Sequence, residues 1–307
     1  MKLTLQIQLK PDAPEHSRLL QTMERVNEAS TLAAQRGFEA HVFSQPSIHK
    51  RCYREIRDRF CLSAQMAVRA IGKAVEAFQR DKSIRPVFRL HGAITYDARI
   101  LCFKGPDRVS LWALPGGRMI VPMVYGEYQK RLLDRIRGQV DLVYRKGKFY
   151  LYATIDVAEP KAAEPVDFLG VDLGIVNIAT DSDGERHCGS QVRSMRIRRR
   201  RFRRKLQRIG TWSAKRKLRV LSGVERRFAT WVNHNVSKQI VAKAKRSDRG
   251  IAIEELTGIR RRVQAGRRQR AVLHSWAFLQ LRKFLEYKAL LMGVLLIRVD
   301  PRNSSRT

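Results

Sequence analysis

Phe168-Leu-Gly-Val-Asp-Leu-Gly174 sets one carboxylate, Asp172, in an apolar strand. A second strand, Ile175 to Thr180, follows, and then an Asp-Ser-Asp-Gly turn at 181–184, so the stretch reads as a hairpin. Side chains alternate across a strand, which puts Asp172 on the face of Gly170 and Gly174, opposite Leu169, Val171 and Leu173. An ionised carboxylate buried among such neighbours is strongly penalised by desolvation unless it is partnered, and a divalent metal is the expected partner. The flanking glycines leave room for a metal and a phosphate. A plain turn carboxylate is the competing reading of Asp172.

Outward from this hairpin, three short strands are predicted at 167–173, 175–181 and 185–190. A long basic helical region, a strand at 250–255, a helix near 275–292 and a strand at 294–299 come next. Three antiparallel strands followed by helix, strand, helix and strand is the element order of an RNase H-like α/β fold. Glu254, in Gly250-Ile-Ala-Ile-Glu-Glu-Leu256, stands at the C-terminal end of its strand and is the second candidate carboxylate. Glu255 beside it competes for that role. Nucleases of this architecture hold two divalent ions with clustered carboxylates, and oxygen ligands favour Mg²⁺ or Mn²⁺ over zinc. A sugar-kinase or actin-like ATPase also carries a Gly-x-Asp-x-Gly turn, but needs a second glycine-rich phosphate turn that is absent after residue 190.

Composition points the same way. There are 62 Lys+Arg against 28 Asp+Glu in 307 residues, a formal net charge of +34, and polyanions are the natural partner of such a chain. A hydrophobic fraction of 44% is enough to build a core. The longest apolar run, Ala289 to Ile297, is interrupted by Gly293 and too short to span a bilayer, and the N-terminus has no signal-peptide pattern, so a soluble, intracellular protein without membrane association is expected. Cys52, Cys61, Cys102 and Cys188 form no Cys-x-x-Cys pair, which argues for free thiols and against a zinc site.

Arg193 to Arg219 holds 14 Lys or Arg in 27 positions, and no acidic residue occurs from Arg186 through Val224. Like charges at helical spacing repel, so this segment calls for a bound polyanion. Arg198, Arg199, Arg200, Arg203, Arg204 and Lys205 would track phosphates, while Phe202, Leu206, Ile209 and Trp212 recur at helical spacing and would anchor the other side. A second basic loop, containing Arg260, Arg261, Arg267 and Arg268, follows Glu254 and would guide a strand toward it. Phe228, Trp231, Val232, Val236, Ile240 and Ala244 form a core stripe on the next helix. His234 on that helix invites a general-base role, but a helix-borne histidine among packing residues is more often structural.

Toward the N-terminus, residues 3–9 alternate as a half-buried strand ended by Pro11 and Pro14. Helices are expected at 15–36 and 49–80, the second with Ile56, Phe60, Ser63, Ala67, Ala70 and Ala74 on one stripe. From 84 to 157 short strands alternate with turns at Gly105-Pro106, Pro115-Gly116-Gly117 and Lys146-Gly147, the pattern of a small β-barrel or sandwich. Strand 3–9 is expected to join that barrel, with the helical piece inserted. The domains so read are a barrel of 1–10 and 84–157, a helical lobe of 11–83, a proline-containing linker of 158–166 and a nuclease-like domain of 167–307.

Taken together the motifs resemble the transposon-encoded TnpB family, relatives of the type V CRISPR effector nucleases. The resemblance runs from about residue 84. It is carried by Gly138-Gln-Val-Asp-Leu-Val-Tyr-Arg-Lys-Gly-Lys-Phe-Tyr-Leu151, Gly170-Val-Asp-Leu-Gly174, Val232-Asn-His-Asn-Val-Ser-Lys-Gln-Ile-Val241, Ile253-Glu-Glu-Leu256, Glu286-Tyr-Lys288 and Val299-Asp-Pro-Arg-Asn-Ser-Ser-Arg306. It implies an RNA-guided DNA endonuclease: a wedge barrel with an inserted recognition lobe, then a RuvC domain. Asp172 and Glu254 would be its first two catalytic, Mg²⁺- or Mn²⁺-binding carboxylates. The implied partners are a guide RNA from the transposon end, a double-stranded DNA target beside a short adjacent motif, and a transposon-encoded transposase. Such a protein would act in the prokaryotic cytoplasm, at the nucleoid. In that family the Val299 motif runs on into two Cys-x-x-Cys pairs and a third catalytic aspartate, none of which stands before Thr307. Asp300 occupies a different family position. For these 307 residues the resemblance therefore implies no zinc, weak or absent cleavage, and partly retained guide and DNA binding, as in a decayed remnant or a guide-dependent repressor.

Overall fold

The computed structural model describes residues 1–162, 164–174, 176–255 and 278–300. The chain divides into two compact units, Met1–Val157 and Ala158–Thr307. No helix among the described residues is long and apolar enough to cross a membrane.

In the first unit β1 (Lys2–Leu9) pairs antiparallel with β7 (Lys148–Asp156) along its whole length, and its last residues pair with β5 (Gly117–Val124). The alternation that marks β1 as a strand buries Leu5, Ile7 and Leu9. With β2 (Ile94–Tyr96), β3 (Leu101–Lys104), β4 (Arg108–Ala113) and β6 (Ile136–Arg145) the sheet runs β2-β6-β7-β1-β5-β4-β3. Its two edge strands, β2 and β3, are consecutive in the chain, so the sheet curls round until they approach. The Tyr96 Oη of β2 donates to the Trp112 carbonyl of β4 at 3.0 Å, linking the two ends of the sheet.

The helical piece consists of α1 (Ala13–Glu39), α2 (Gln45–Phe60) and α3 (Ala64–Arg80). Asp12 and Glu15 close a reciprocal capping box at the start of α1, with Glu15 N on Asp12 Oδ1 at 2.7 Å and Asp12 N on Glu15 Oε2 at 2.9 Å. The single helix expected over 49–80 is two helices. Cys61 takes the left-handed conformation (φ 53°), and Ser63 caps α3 by accepting from Met66 N. Ile56 and Phe60 therefore bury from α2 and Ala67, Ala70 and Ala74 from α3, while Ser63 lies between them as a cap. Leu19, Met23, Ile48 and Ile71 of the helices share one core with Ile7, Leu111, Val121 and Leu151 of the strands.

The second unit holds β8 (Phe168–Asp172), β9 (Asn177–Asp181) and β10 (Arg186–Cys188), then α5 (Ser190–Ile209), α6 (Trp212–Leu221) and α7 (Val224–Arg246); the intervening α4 (Glu127–Lys130) is a single turn in the first unit. β11 (Gly250–Glu254), α8 (Phe278–Met292) and β12 (Leu296–Val299) complete the described elements. The strand order is β10-β9-β8-β11-β12. β8, β9 and β10 are antiparallel, whereas β11 lies parallel to both β8 and β12. A parallel neighbour requires a crossover, and α7 leads into β11 as α8 leads into β12. Leu169, Val171, Ile251 and Ile253 face a core completed by Val236, Ile240 and Ala244 of α7 and Leu281, Leu285 and Ala289 of α8. Trp231, expected in that stripe, is instead 59% exposed. Gly250 allows β8 and β11 to approach: a Cβ there would meet the Phe168 ring at 2.5 Å.

Candidate functional site

The open face of the second sheet carries a cleft of about 520 Å³ lined by Asp172, Glu254, Thr180, Asp181, Ser182, Asn177 and Arg186, among others. Strand register explains its composition. Asp172 pairs with Thr180 and Thr180 with Arg186, so these three side chains share a face across β8, β9 and β10. On the other side Val171 pairs with Ile253, and one step further along the two parallel strands brings Asp172 beside Glu254, which in turn pairs with Val299. Arg186, Thr180, Asp172, Glu254 and Val299 thus form a row across all five strands, and all five line the cleft. Adjacent strands lie about 4.8 Å apart, so the two carboxylates are direct neighbours at the C-terminal ends of parallel strands.

Asp172 is on the predicted face but is exposed, whereas Leu169 and Val171 behind it are buried. The desolvation argument for a metal is corrected by this finding: alternation points the carboxylate out of the core that its neighbours fill. What favours a cation here is the side-by-side placement of two carboxylates, whose mutual repulsion a divalent ion relieves. Glu255 is engaged elsewhere, paired with Arg282 and, at 3.5 Å, with Arg298. Glu254 is therefore the cleft residue of the two. The lining donors are mostly oxygens, from three carboxylates, two hydroxyls and an amide, a set that fits Mg²⁺ or Mn²⁺. Among the described residues no group of three or more His, Cys, Asp or Glu is placed to hold a metal ion.

Asp181 lines the cleft but is withdrawn from metal binding by its partners. Its side chain is 1% exposed, and Oδ2 accepts from Lys243 Nζ at 2.5 Å. Oδ1 accepts from the backbone of Asp183 and Glu185. Burial alone would raise the Asp181 pKa, but Lys243 and the Glu185 N–H hold it below the usual carboxylate range. Lys243 also reaches Asp183 at 3.0 Å and Glu185 at 3.2 Å, and Arg249 grips Asp183 with two bonds of 2.9 and 2.6 Å. The Asp-Ser-Asp-Gly turn is thereby clamped to the end of α7. Ser182 N donates to the Gly170 carbonyl at 2.9 Å, which ties the clamped turn to β8 beside the row.

The basic segment is helical over α5, with Arg198, Arg200, Arg203, Arg204 and Lys205 exposed and Arg199 half-buried. Its anchor differs from the expected stripe. Leu206 and Val192 are buried, but Phe202 is 39%, Ile209 50% and Trp212 84% exposed. Gly210, at φ 68°, ends α5 and Thr211 caps α6, so the apolar positions fall on two helices rather than one face. Some charge is also neutralised from outside the run, because Glu225 of α7 lies 3.2 Å from Arg196 and 3.6 Å from Arg203. Arg260, Arg261, Arg267 and Arg268 lie outside the described residues. His234 stacks on Phe284 at 3.8 Å, and burial followed by the nearby Lys288 lowers its pKa; it does not line the cleft.

Sequence reasoning named Asp172 and Glu254 but not Thr180, Arg186 or Lys243. The alternation of β9 and the four-residue turn are local signals that could have put Thr180 and Arg186 in line with Asp172. Lys243 has no local signal, since its partners lie about sixty positions earlier.

No family model matches the chain. CRISPR-associated endodeoxyribonuclease Cas12f2 of Micrarchaeota archaeon (strain CG1_02_47_40) is 29% identical over 175 residues, 53% of this chain. The match covers 32% of that protein, so the chain spans about a third of its length. TnpB-like protein MJ0751 of Methanocaldococcus jannaschii is 26% identical over 219 residues, 66% of this chain and 78% of that one. A cryo-EM structure of a Cas12f1–sgRNA–target DNA complex shares the fold, with a TM-score of 0.61 at 14% identity over 95% of this chain and 74% of that one. The chain is thus similar in sequence to both a TnpB-like protein and a Cas12f protein.

Proposed function

We propose that the chain is an RNA-guided DNA-binding protein whose second unit is an RNase H-like, RuvC-type domain with metal-dependent endonuclease chemistry. The observation that carries this reading is the juxtaposition of Asp172 and Glu254 at the ends of adjacent parallel strands, in a cleft open to a polymer. Asp172 and Glu254 would hold Mg²⁺ or Mn²⁺. Bound there, the ion would activate water and neutralise the leaving oxygen of a phosphodiester. The chain's own contribution is to fix the two carboxylates by strand pairing, to fix the neighbouring wall through Lys243 and Asp181, and to attract nucleic acid along α5. One relative's name, an endodeoxyribonuclease, the sgRNA and target DNA in the complex that shares the fold, and the net charge of +34 support the reading of RNA and DNA as partners, here a guide RNA and a double-stranded DNA target. The 1–10, 11–83, 84–157 and 167–307 divisions are proposed as wedge barrel, recognition lobe and nuclease domain.

A second reading is guided binding without cleavage. It is favoured by Asp181 being committed to Lys243, which leaves two carboxylates for a metal among the described cleft residues. One assay separates the two: incubation of the chain and its locus RNA with matched duplex DNA in Mg²⁺, beside Asp172→Ala. Cleavage lost in Asp172→Ala establishes the nuclease; retarded but intact DNA with both proteins establishes the binder. Guide-independent binding of all DNA with equal affinity refutes both.

A further inference from the structure

The geometry points to Arg186 as a phosphate-binding residue of the cleft, a third member of the site beside the two carboxylates. The assignment rests on the reading of Asp172 and Glu254 as metal ligands. Arg186 stands in the same row, two strands from Asp172 through Thr180. Two strand spacings are about 10 Å between backbones, and an arginine side chain extends over more than half of that. A phosphate lying over the carboxylates would therefore come within its reach, with the Thr180 hydroxyl between.

Charge supports the same role. Arg186 is exposed and, among the described residues, is the only basic one lining the cleft. The acidic groups nearest in sequence are consumed by other cations: Asp181 by Lys243, Asp183 by Lys243 and Arg249, Glu185 by Lys243. Among the described residues no ion pair involves Arg186. The hairpin carries three carboxylates within five positions, each turned toward Lys243 or Arg249, and among the described residues none of them pairs with Arg186. A guanidinium on one side and two carboxylates on the other match a phosphodiester whose one oxygen is bound by metal and whose other is bound by a forked donor. Two carboxylates and one divalent ion cancel in charge, so Arg186 orients the phosphate and balances the single negative charge of the phosphodiester.

The test uses Mn²⁺ and thymidine 5′-monophosphate as probes on the full chain. Mn²⁺ affinity is read by water-proton relaxation, and nucleotide affinity at the Mn²⁺ site by broadening of the ³¹P line, which ignores phosphate bound on distant basic surface. Arg186→Ala is expected to weaken nucleotide binding about tenfold or more while Mn²⁺ affinity stays within about twofold. Arg186→Lys should fall between, and Lys104→Ala, an equal loss of charge in the first unit, should match the wild type. Asp172→Asn should lose Mn²⁺. Unchanged nucleotide affinity in Arg186→Ala, with Mn²⁺ lost in Asp172→Asn, overturns the arginine assignment and leaves the metal cleft standing. Equal Mn²⁺ binding by wild type and Asp172→Asn overturns the metal reading itself, and the assignment with it.

Discussion

Gly250→Ala tests whether close strand approach is what brings the two carboxylates together. The added Cβ would lie 2.5 and 2.7 Å from Phe168 ring carbons and 3.2 Å from the Leu295 carbonyl oxygen. That oxygen cannot retreat cheaply, because it accepts from Ile251 N at 2.8 Å. The strain must then be relieved by the half-buried Phe168 ring swinging outward or by β11 parting from β8. Overpacking of this kind costs about 2–3 kcal/mol. Because a two-unit chain need not unfold in one step, the assay is native-state hydrogen exchange at β11 rather than a single melting curve. The Ile251 and Ile253 amides should exchange about 30- to 150-fold faster, the equivalent of that cost, while β1 and β7 amides in the first unit stay unchanged. Phe168→Leu in the same chain should restore most of the loss, since the two positions share one contact. Mn²⁺ affinity should fall with protection and return with it. Wild-type exchange rates in Gly250→Ala would refute the argument that this glycine sets the spacing of the row.

Two further outcomes are expected. Lys73 is half-buried, with its Nζ on the Ala93 carbonyl at 2.6 Å and over the Phe88 ring; desolvation, against weaker support from Asp141 and Glu76, lowers its pKa from 10.5 to about 8. The unfolded chain therefore holds this proton more tightly between about pH 8 and 10.5, so wild-type stability gains an upward slope with pH there that Lys73→Met lacks, measured by urea unfolding of the first unit at stepped pH. On α5, Arg198→Ala and Arg200→Ala should each reduce the salt-dependence slope of DNA binding by about one phosphate's worth, and Arg203→Ala by less, because Glu225 already lies 3.6 Å from it. Equal slopes for all three variants would show that this ion pair does not compete with phosphate.

Much of the architecture was readable from local patterns. Period-two alternation located β1, β7 and β8, and assigned Asp172 to the face opposite Leu169 and Val171, because side-chain direction along a strand depends only on sequence position. Helix boundaries were read less well. Cys61 and Gly210 each break an apolar spacing that continues across them, since a left-handed residue ends a helix whatever the periodicity beyond it.

The amino-acid sequence by itself determined the two carboxylates, the polyanion-seeking charge and the order of strands and helices, all set by residue chemistry and short-range period. Only the tertiary structure decided what those residues are next to. Parallel pairing of β8 and β11 makes Asp172 and Glu254 neighbours, antiparallel pairing adds Thr180 and Arg186, and Lys243 removes Asp181 from the available ligands. Register and ion pairing between distant segments follow from which faces the core buries, and that competition is settled across the whole unit rather than within any one stretch of sequence.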